Sequence, residues 1–264
     1  MEIGIIGCGP AGLMAAHAAT QNGHSVTIFS KRLEKSHLYG SQYLHAPIPG
    51  IYCGPAQTVE YALVGGDLST YRQKVYGDKW DGDVSPGTLD GEHKAWDIRV
   101  AYDNLWTLYS KRIVPLHLDQ RGDENLRVVN RLGERLDFAM IISSIPRTAW
   151  DADDGNFRSS EVWAIGDAPA EGRFCPIQPA RDNRIVCDAS EDTGWYRLSR
   201  VFGHTTVEYP LNRKPPIHGA AKVLKPLDHR STKGDFMVHV GRYGEWRKGI
   251  LSTDAYRKAL ECTA

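Results

Sequence analysis

The sequence predicts an α/β fold: a parallel sheet flanked by helices, with a second, smaller domain that contains an antiparallel sheet. Three observations predict it. A strand, a glycine-rich loop, a helix and a second strand follow one another within residues 3–32. Short strand patterns separated by turns occupy residues 184–209. A strand, a glycine and a helix occupy residues 236–260, so both ends of the chain carry a unit of the same kind.

The N-terminal unit has the spacing Gly-x-Gly-x-x-Gly at Gly7, Gly9 and Gly12. The first glycine allows a tight turn, the second lets the backbone approach a pyrophosphate, and the third seats the helix against the sheet. The N-terminus of that helix presents free N–H groups and the positive end of its dipole to phosphates. The unit therefore predicts a Rossmann-type dinucleotide site, with Pro10 and Ala11 in the same loop.

The two ends of this unit bear on which dinucleotide binds. Its loop, Pro10-Ala11-Gly12, resembles the loop of FAD enzymes more than that of NAD dehydrogenases. Its second strand ends in Ser30-Lys31-Arg32, where an acidic residue would usually hold the ribose hydroxyls. A hydroxyl and two cations could instead suit the 2′-phosphate of NADP. We expect this second segment to line the cofactor site.

The C-terminal unit favours FAD over NADP. Phe236 to Val240 has a strand pattern, Gly241-Arg242 forms a turn, and Ser252 is the expected N-cap of a helix that ends at Leu260. A strand, a glycine and a helix N-terminus make a second phosphate or ribityl site. An FAD domain assembled from both chain ends needs such a site, whereas half of an NAD dehydrogenase does not.

The loop at residues 38–50 follows directly behind the cofactor unit. Its two prolines and two glycines are incompatible with a regular element over much of its length. We predict that it lines a flavin, with Gly40 in the cofactor site and with Gln42 and His45 as its polar members. A surface loop with a solvated histidine is the alternative. Residues 51–95 then show little periodicity.

Regular elements return in the middle of the chain. Apolar residues recur at helical spacing between residues 96 and 112, which predicts an amphipathic helix. Residues 114–118, 126–130 and 138–143 have the periodicity of strands. The last of these runs is almost entirely apolar, as in a strand buried on both faces. We expect it to return to the cofactor sheet.

Two segments in the second half of the chain offer groups that could bind ligands. Val162 to Asp167 looks like a second FAD motif, but no helix pattern opens at Asp167, so we favour an ordinary strand. Trp195-Tyr196-Arg197 lies on the predicted antiparallel sheet and offers aromatic and cationic groups to an anionic or planar ligand. Simple packing of strand aromatics is the alternative.

Composition excludes several classes of protein. The chain has 32 basic and 32 acidic residues, so no overall charge attracts nucleic acid or an acidic membrane. No apolar run reaches membrane-spanning length, and the opening strand leaves no room for a signal peptide. The five cysteines include no Cys-x-x-Cys pair, so we expect neither disulfides nor a metal site and place the protein in the cytoplasm.

Four stretches, in the same order, resemble the UDP-galactopyranose mutase-like flavoproteins, a branch related to the amine oxidases. The first is the glycine loop at residues 7–12. Tyr39 to His45 resembles a Tyr-Gly-x-His-x-Phe-His loop that passes the flavin ring in that family. Tyr71 to Gly77 is similar to a Tyr-x-x-Lys-x-Trp-Gly segment. Tyr196-Arg197 and Val240-Gly241-Arg242 resemble the substrate-phosphate arginine and a Gly-Arg-Leu FAD motif.

The resemblance implies FAD as the cofactor and a substrate site at the flavin, with His45 and Arg197 as catalytic residues. The chain also departs from the family. Gln42 replaces the first loop histidine, Ser30 replaces the acidic ribose residue, and Trp246-Arg247-Lys248 replaces a tyrosine cluster. Most of the family's helical substrate domain must be missing from so short a chain. The expected substrate-binding residues are Gln42, Lys74, Trp195, Tyr196 and Trp246.

We therefore expect an FAD-binding domain formed by residues 1–45, 111–150 and 234–264, and a substrate domain formed by residues 46–110 and 151–233. The expected function is that of an FAD-dependent oxidoreductase that accepts a hydride from a small or nucleotide-like substrate, at a C–N bond as in amine oxidases. One alternative is a non-redox flavin mutase acting on a nucleotide sugar. The other is a nucleotide-binding protein without catalysis. A base-containing substrate also remains open.

Overall fold

The computed structural model describes residues 1–79, 89–115, 117–119, 127–129, 137–149, 157–166, 182–213, 215, 219–230 and 237–264. In chain order, the strands and helices in this part of the chain are β1 (Glu2–Ile6), α1 (Pro10–Gln21), β2 (Ser25–Ser30), β3 (Gln57–Val64), α2 (Leu68–Tyr76), β4 (Gly91–Ala95), α3 (Ile98–Tyr109), β5 (Ile113–Pro115), β6 (His117–Asp119), β7 (Arg127–Val129), β8 (Met140–Ser143), β9 (Phe157–Gly166), β10 (Arg184–Asp188), β11 (Arg197–Val201), β12 (His204–Pro210), β13 (Ala221–His229), β14 (Val238–His239), α4 (Gly241–Gly244) and α5 (Ser252–Cys262).

The first sheet is parallel and has the strand order β14-β8-β1-β2-β5. Its strands come from both ends and the middle of the chain, and the apolar run that ends in β8 returns to it as predicted. Helices α1 and α5 lie side by side on one face, where small residues such as Ala15 and Ala255 allow close packing. The parallel, helix-covered sheet of a Rossmann-type domain is confirmed.

Helix α3 belongs to the same core. Ile98, Ala101 and Leu105 are buried against α1, and the Tyr102 hydroxyl donates to the carbonyl oxygen of Cys8 at 2.9 Å. The predicted domain division groups this helix with the substrate domain, and the structure packs it against α1. The physical reason is that the apolar stripe of α3 is buried against the short side chains of α1, which leave room for a second helix.

The second sheet has the strand order β13-β9-β12-β11-β10-β3-β4. Its pairs are antiparallel except β10 with β3, which is parallel. The predicted strands at residues 184–209 and the ordinary strand ending at Gly166 are present as β9 to β12. The edge of the sheet formed by β3 and β4 was not predicted. Residues 51–95 contain β3, α2 and β4, but their sequence shows little periodicity.

Some element boundaries differ from the sequence predictions. The strand expected at residues 114–118 is divided between β5 and β6, and of the strand expected at 126–130 the structure describes β7. Helix α5 begins at Ser252, but its N-cap is Leu251, whose backbone N–H donates to Asp254 Oδ2 at 2.7 Å. Among the described helices, none is long and apolar enough to cross a membrane.

Candidate functional site

The glycine loop between β1 and α1 is packed on two sides and open on a third. A side chain at Gly7, whose φ is +101°, would overlap Ser144 Oγ, and one at Gly12 would overlap the carbonyl oxygen of Gly7. A Cβ at Gly9 would meet no atom of the described residues within 4 Å. The loop therefore leaves its middle glycine open, beside the N-terminus of α1. This is the shape that a phosphate-binding loop requires.

The C-terminal unit reaches the same edge of the sheet. Gly241 follows β14 with a φ of +74°, and a Cβ there would lie 2.8 Å from that of Ala11. A Cβ at Gly244 would lie 2.8 Å from the carbonyl oxygen of Ser143, at the end of β8. Because the strands are parallel, their carboxyl ends meet at this edge, where open α/β sheets bind their ligands. Gly241 and the glycine loop thus form one cradle from the two chain ends.

The end of β2 carries a hydroxyl where an acidic residue is usual. Ser30 is buried, and its Oγ accepts hydrogen bonds at 3.2 Å from Cys8 Sγ and from the backbone N–H of Arg32. The side chains of Lys31 and Arg32 are exposed. This segment therefore offers one hydroxyl inside the loop and two cations at its rim.

The loop that follows, here called the pinned loop, is held between the second sheet and helix α3. The Ser41 N–H donates to Thr206 Oγ1 on β12 at 2.7 Å, and Gly40 is packed so tightly that a Cβ would overlap the same hydroxyl. On the other side, Arg99 Nη2 on α3 donates to the carbonyl oxygens of Leu38, at 2.7 Å, and of Gly40. The backbone of this loop is therefore fixed across the face of the second sheet.

Beyond this point the loop meets a cluster that contains both predicted catalytic residues. The hydroxyls of Tyr43 and Tyr61 are 2.7 Å apart, and the guanidinium of Arg197 donates to Tyr61 at 3.4 Å with its carbon 5.8 Å from the ring centre. The ring of His45 lies 4.5 Å from Tyr43, and that of His93 lies 5.1 Å from Tyr61. We call these five residues the tyrosine cluster.

Burial and neighbouring charges shift the pKa values of two members of the tyrosine cluster, His45 and Arg197. Partial burial lowers the pKa of His45, and His93 and Arg197 lower it further. Burial opposes the charge of Arg197, but Tyr61 and Glu208 outweigh it and hold the pKa of the guanidinium above its ordinary value. The cluster therefore combines a fixed cation with an imidazole that is neutral at pH 7.

A second group of charges lies directly beside Arg197, which pairs with Glu208 in the β11–β12 ladder. Lys225 Nζ on β13 donates to Glu208 Oε1 at 2.6 Å and to the Tyr196 hydroxyl at 3.0 Å, and that hydroxyl donates to Glu208 Oε2 at 2.7 Å. Burial raises the pKa of Glu208, but Lys225 and Arg197 overcome this and hold it at about 2. The carboxylate is therefore ionised at every physiological pH.

Arg242 points toward these charges. Its guanidinium lies 3.5 Å from the carbonyl oxygen of Pro226 on β13, although the neighbouring Gly241 lies against the glycine loop. The sequence assigned both residues to the cofactor. The structure separates them, because the side chain of Arg242 extends toward the second sheet.

Lys74 was expected to bind the substrate, but its ammonium binds other groups of the protein. Its ammonium donates to the Ser190 carbonyl oxygen at 2.7 Å and to Thr193 Oγ1 at 2.8 Å, and lies 3.5 Å from Asp188. With 8% of its side chain exposed, it ties α2 to the loop after β10. This placement argues against substrate binding.

Three more of the expected substrate residues lie outside the tyrosine cluster. Trp195 is buried in a core with Leu198 and Val207 that is separate from the one containing Tyr61. Trp246 is buried, with its indole N–H donating to the carbonyl oxygen of Arg158 at 3.0 Å. Gln42 is exposed and donates to the carbonyl oxygen of its own loop residue Tyr39. Asp167 lies outside the described residues.

Sequence reasoning missed several residues of the site: Tyr43, Tyr61, His93, Glu208 and Lys225. One signal was available for Glu208, because it is the acidic residue of a predicted strand, observed as β12. Tyr61 and His93 lie on β3 and β4, which were not predicted, so nothing placed them beside Arg197. Among the described residues, no group of histidine, cysteine and acidic side chains is suited to hold a metal ion.

Comparison with known proteins identifies the kind of domain. Residues 3–42 match the FAD binding domain family, a stretch that contains the glycine loop, the end of β2 and part of the pinned loop. None of the curated proteins matches the chain in sequence. The family match therefore concerns the cofactor unit and leaves the second sheet unassigned.

Solved structures of flavoproteins share the fold at low sequence identity. The flavin-dependent halogenase BrvH from Brevundimonas sp. BAL3 has a TM-score of 0.56 at 12% identity, covering 99% of this chain and 69% of its own. A flavoprotein/dehydrogenase from Cytophaga hutchinsonii has 0.54 at 15%, covering 99% and 75%. A variant of HpxO from Klebsiella pneumoniae, complexed with FAD, has 0.53 at 11%, covering 100% and 80%.

The match at residues 3–42 confirms an FAD-binding unit there and the predicted cofactor, FAD. The solved structures show that the chain shares the fold of flavoproteins, as the sequence predicted. None of the three structures is a mutase or an amine oxidase. That finer resemblance rests on the sequence motifs alone.

Proposed function

We propose that the protein oxidises a small or nucleotide-like substrate by accepting its hydride onto FAD, at the place where the pinned loop meets the second sheet. The observation that carries this proposal is the tyrosine cluster, in which the loop from the FAD unit delivers Tyr43 and His45 to Tyr61 and Arg197 on the sheet. A reacting substrate needs groups from both the FAD-binding unit and the second sheet, because the first would hold the cofactor and the second would hold the substrate.

The residues of the chain fit the cofactor. The open space at Gly9 and the helix N-terminus behind it would hold the pyrophosphate, with Gly7 and Gly12 shaping the loop. Ser30 would face the adenosine ribose, and Gly241 would complete the cradle. When bound, FAD supplies the hydride acceptor, and the protein supplies position, exclusion of water and electrostatics.

The chain's own residues would orient the substrate. Arg197 offers a permanent positive charge. It donates a hydrogen bond to the Tyr61 hydroxyl, which is itself hydrogen-bonded to the hydroxyl of Tyr43. These two hydroxyls would contact polar atoms of the substrate. His45 would position the substrate as a neutral imidazole. Holding the reacting carbon close to the hydride acceptor is the main service required, since hydride transfer needs neither a metal nor a nucleophilic side chain. We propose a C–N bond as the one oxidised, following the amine-oxidase side of the sequence resemblance.

A non-redox reaction is the second candidate. The placement of Arg197 beside Tyr61 in the tyrosine cluster favours it, because the corresponding arginine in the mutase-like proteins holds a substrate phosphate. Such an enzyme would consume no net electrons and would act only when its flavin had been reduced beforehand. The two candidates therefore differ in whether substrate alone bleaches the oxidised flavin.

The test of the proposed function is spectroscopic. The purified protein should be yellow, and denaturation should release FAD. A substrate of the right class, added under anaerobic conditions without dithionite, should bleach the flavin absorbance. Turnover only after dithionite would favour the mutase reaction. A colourless protein that takes up NADP but not FAD would contradict the proposal.

The pH dependence of turnover should report His45. The low pKa of this residue keeps its ring neutral at pH 7, so protonation and loss of turnover should occur only below the ordinary histidine value of 6.5. We expect His45→Gln to lower turnover and to remove this acid limb from the pH profile. His24→Gln, at the far end of α1, is the matched control and should leave the profile unchanged. An acid limb that persists in His45→Gln would show that another group titrates.

A further inference from the structure

A cavity of about 570 Å³ lies at the β14 edge of the first sheet. Its wall is formed by the end of β13, by β14, by the turn after β8, by the segment that follows α4, and by one residue of α5. Among the described residues of this wall, none belongs to the glycine cradle or to the tyrosine cluster. The volume lies within the range of about 300–1,000 Å³ that small-molecule sites have. The chain therefore contains a second space of the size of a ligand site.

Both carboxylates among the described residues of the wall are already paired. Asp228 accepts a hydrogen bond from Arg158 Nε at 2.7 Å, and this bond lowers the pKa of its carboxyl group. Glu245 Oε2 lies 3.1 Å from the ammonium of Lys258, which lines the cavity from α5. Arg158 itself stands outside the wall. Each acidic group is thus neutralised by its own partner and does not compensate other positive charges around the cavity.

The remaining charged groups of the described wall are two arginines. Arg147 lies in the turn after β8 with 5% of its surface exposed, and Arg247 lies between α4 and α5 and is exposed. A guanidinium keeps its charge at every physiological pH and binds an oxyanion through two parallel N–H groups. The charges of the wall therefore favour an anion over a neutral or cationic ligand.

The uncharged part of the wall restricts the ligand further. Met237 and Val238 bring apolar surface, and His229 and His239 bring imidazole rings. An apolar surface beside the arginines suits a molecule that has a hydrocarbon part as well as a negatively charged end, because burial of that part from water is favourable. Inorganic phosphate has no such part. The wall therefore fits a small organic acid.

We propose that this cavity binds a small carboxylic acid, whose carboxylate is held by Arg147 and Arg247. Lys258 contributes indirectly, since it neutralises Glu245, which would otherwise repel the ligand. The inference goes beyond the proposed function and does not depend on it, because the wall of the cavity and the tyrosine cluster share none of the described residues.

The test is calorimetric titration of the FAD-saturated protein with butyrate, butyramide and inorganic phosphate, at constant ionic strength set with chloride. We expect butyrate to bind at one site. Butyramide has nearly the same shape without the charge and should bind at least about tenfold more weakly, as should phosphate, because it lacks the apolar part.

Two variants test the assignment to this wall. Arg247→Gln should weaken butyrate about tenfold, the effect of one lost charge-assisted contact. Lys258→Gln should also weaken it, because Glu245 is then left as an unpaired carboxylate in the wall. Both side chains are partly or fully exposed, so both variants should fold. Arg257→Gln removes an exposed cation one position earlier on α5, outside the wall, and should change nothing.

Several outcomes would overturn the inference. Yellow protein that binds no butyrate beyond chloride would remove the site while leaving the proposed function intact. Equal affinity for butyramide would show that the wall does not select an anion, and tighter binding of phosphate would replace the organic acid by an inorganic one. Unchanged affinity for butyrate in both Arg247→Gln and Lys258→Gln would place the acid elsewhere. A flavin spectrum that shifts on binding, with Arg197→Gln abolishing the shift, would then locate it at the tyrosine cluster.

Discussion

Replacing Gly9 with alanine should give a folded protein that retains little FAD. The backbone at Gly9 has φ −69° and ψ 176°, which alanine adopts readily, and within the described part of the chain the added Cβ would meet no atom closer than 4 Å. The methyl group would instead occupy the space through which the backbone approaches the pyrophosphate. An overpacked methyl costs about 1–3 kcal/mol, which corresponds to about a tenfold to hundredfold loss of FAD affinity.

Two other glycines provide the controls for this result. Gly12→Ala would force a side chain onto the carbonyl oxygen of Gly7, so it should lower the melting temperature of the cofactor-free protein as well as FAD content. Gly194→Ala meets only the Tyr209 ring, at 3.9 Å, and should affect neither property. The measurements are the FAD released on denaturation and the thermal midpoint of the apoprotein. Full FAD content in Gly9→Ala would place the pyrophosphate elsewhere.

The cofactor unit could be predicted because local sequence determines it. Gly7 and Gly12 have no room for a side chain, and Gly241 needs a positive φ, so the sequence retains a direct trace of the backbone geometry. The run that leads into β8 is apolar because its strand is buried on both faces, and that pattern also survives in the sequence. The family match at residues 3–42 confirms the N-terminal part of this unit as FAD-binding.

The second sheet was predicted only in part, because its edge depends on partners that are distant in the chain. β3 pairs with β10 more than 120 residues later, and Glu60, Tyr61 and Ala62 take their places from that pairing rather than from local periodicity. Without that strand pairing, the sequence could not predict the tyrosine cluster. A strand whose polar and apolar residues do not alternate clearly gives no signal of which face it buries.

Residue type alone also does not show where several of the predicted side chains find their partners. Lys74 and Trp246 have the chemistry of ligand-binding groups, but each is buried and satisfied by protein atoms. Arg242 shows the opposite case, since its position in a cofactor-like motif concealed a side chain that extends to the other sheet. The distinction depends on where a side chain finds its partners, and the sequence around it does not record that.

Glu208→Gln should cost about 3–5 kcal/mol of unfolding free energy at pH 7, the usual consequence of removing one partner of a buried ion pair. The substitution keeps the size of the side chain but leaves Lys225 and Arg197 as buried cations without a carboxylate. Its 13% exposed side chain and the hydrogen bond from Tyr196 indicate little solvent screening. Chemical denaturation of the FAD-saturated protein would measure the loss.

The same carboxylate should determine part of the acid stability. The pKa of Glu208 falls from 4.5 in the unfolded chain to about 2 in the folded protein, so its contribution is complete above pH 4.5 and is lost as the pH falls toward 2. The wild-type protein should therefore lose its advantage over Glu208→Gln across this window. Glu161→Gln, on the exposed side of β9, should match the wild type throughout.

Adding Lys225→Met to Glu208→Gln should recover part of the stability, because it removes the unpaired ammonium. A loss below about 0.5 kcal/mol in Glu208→Gln would show that water, rather than the carboxylate, compensates these cations.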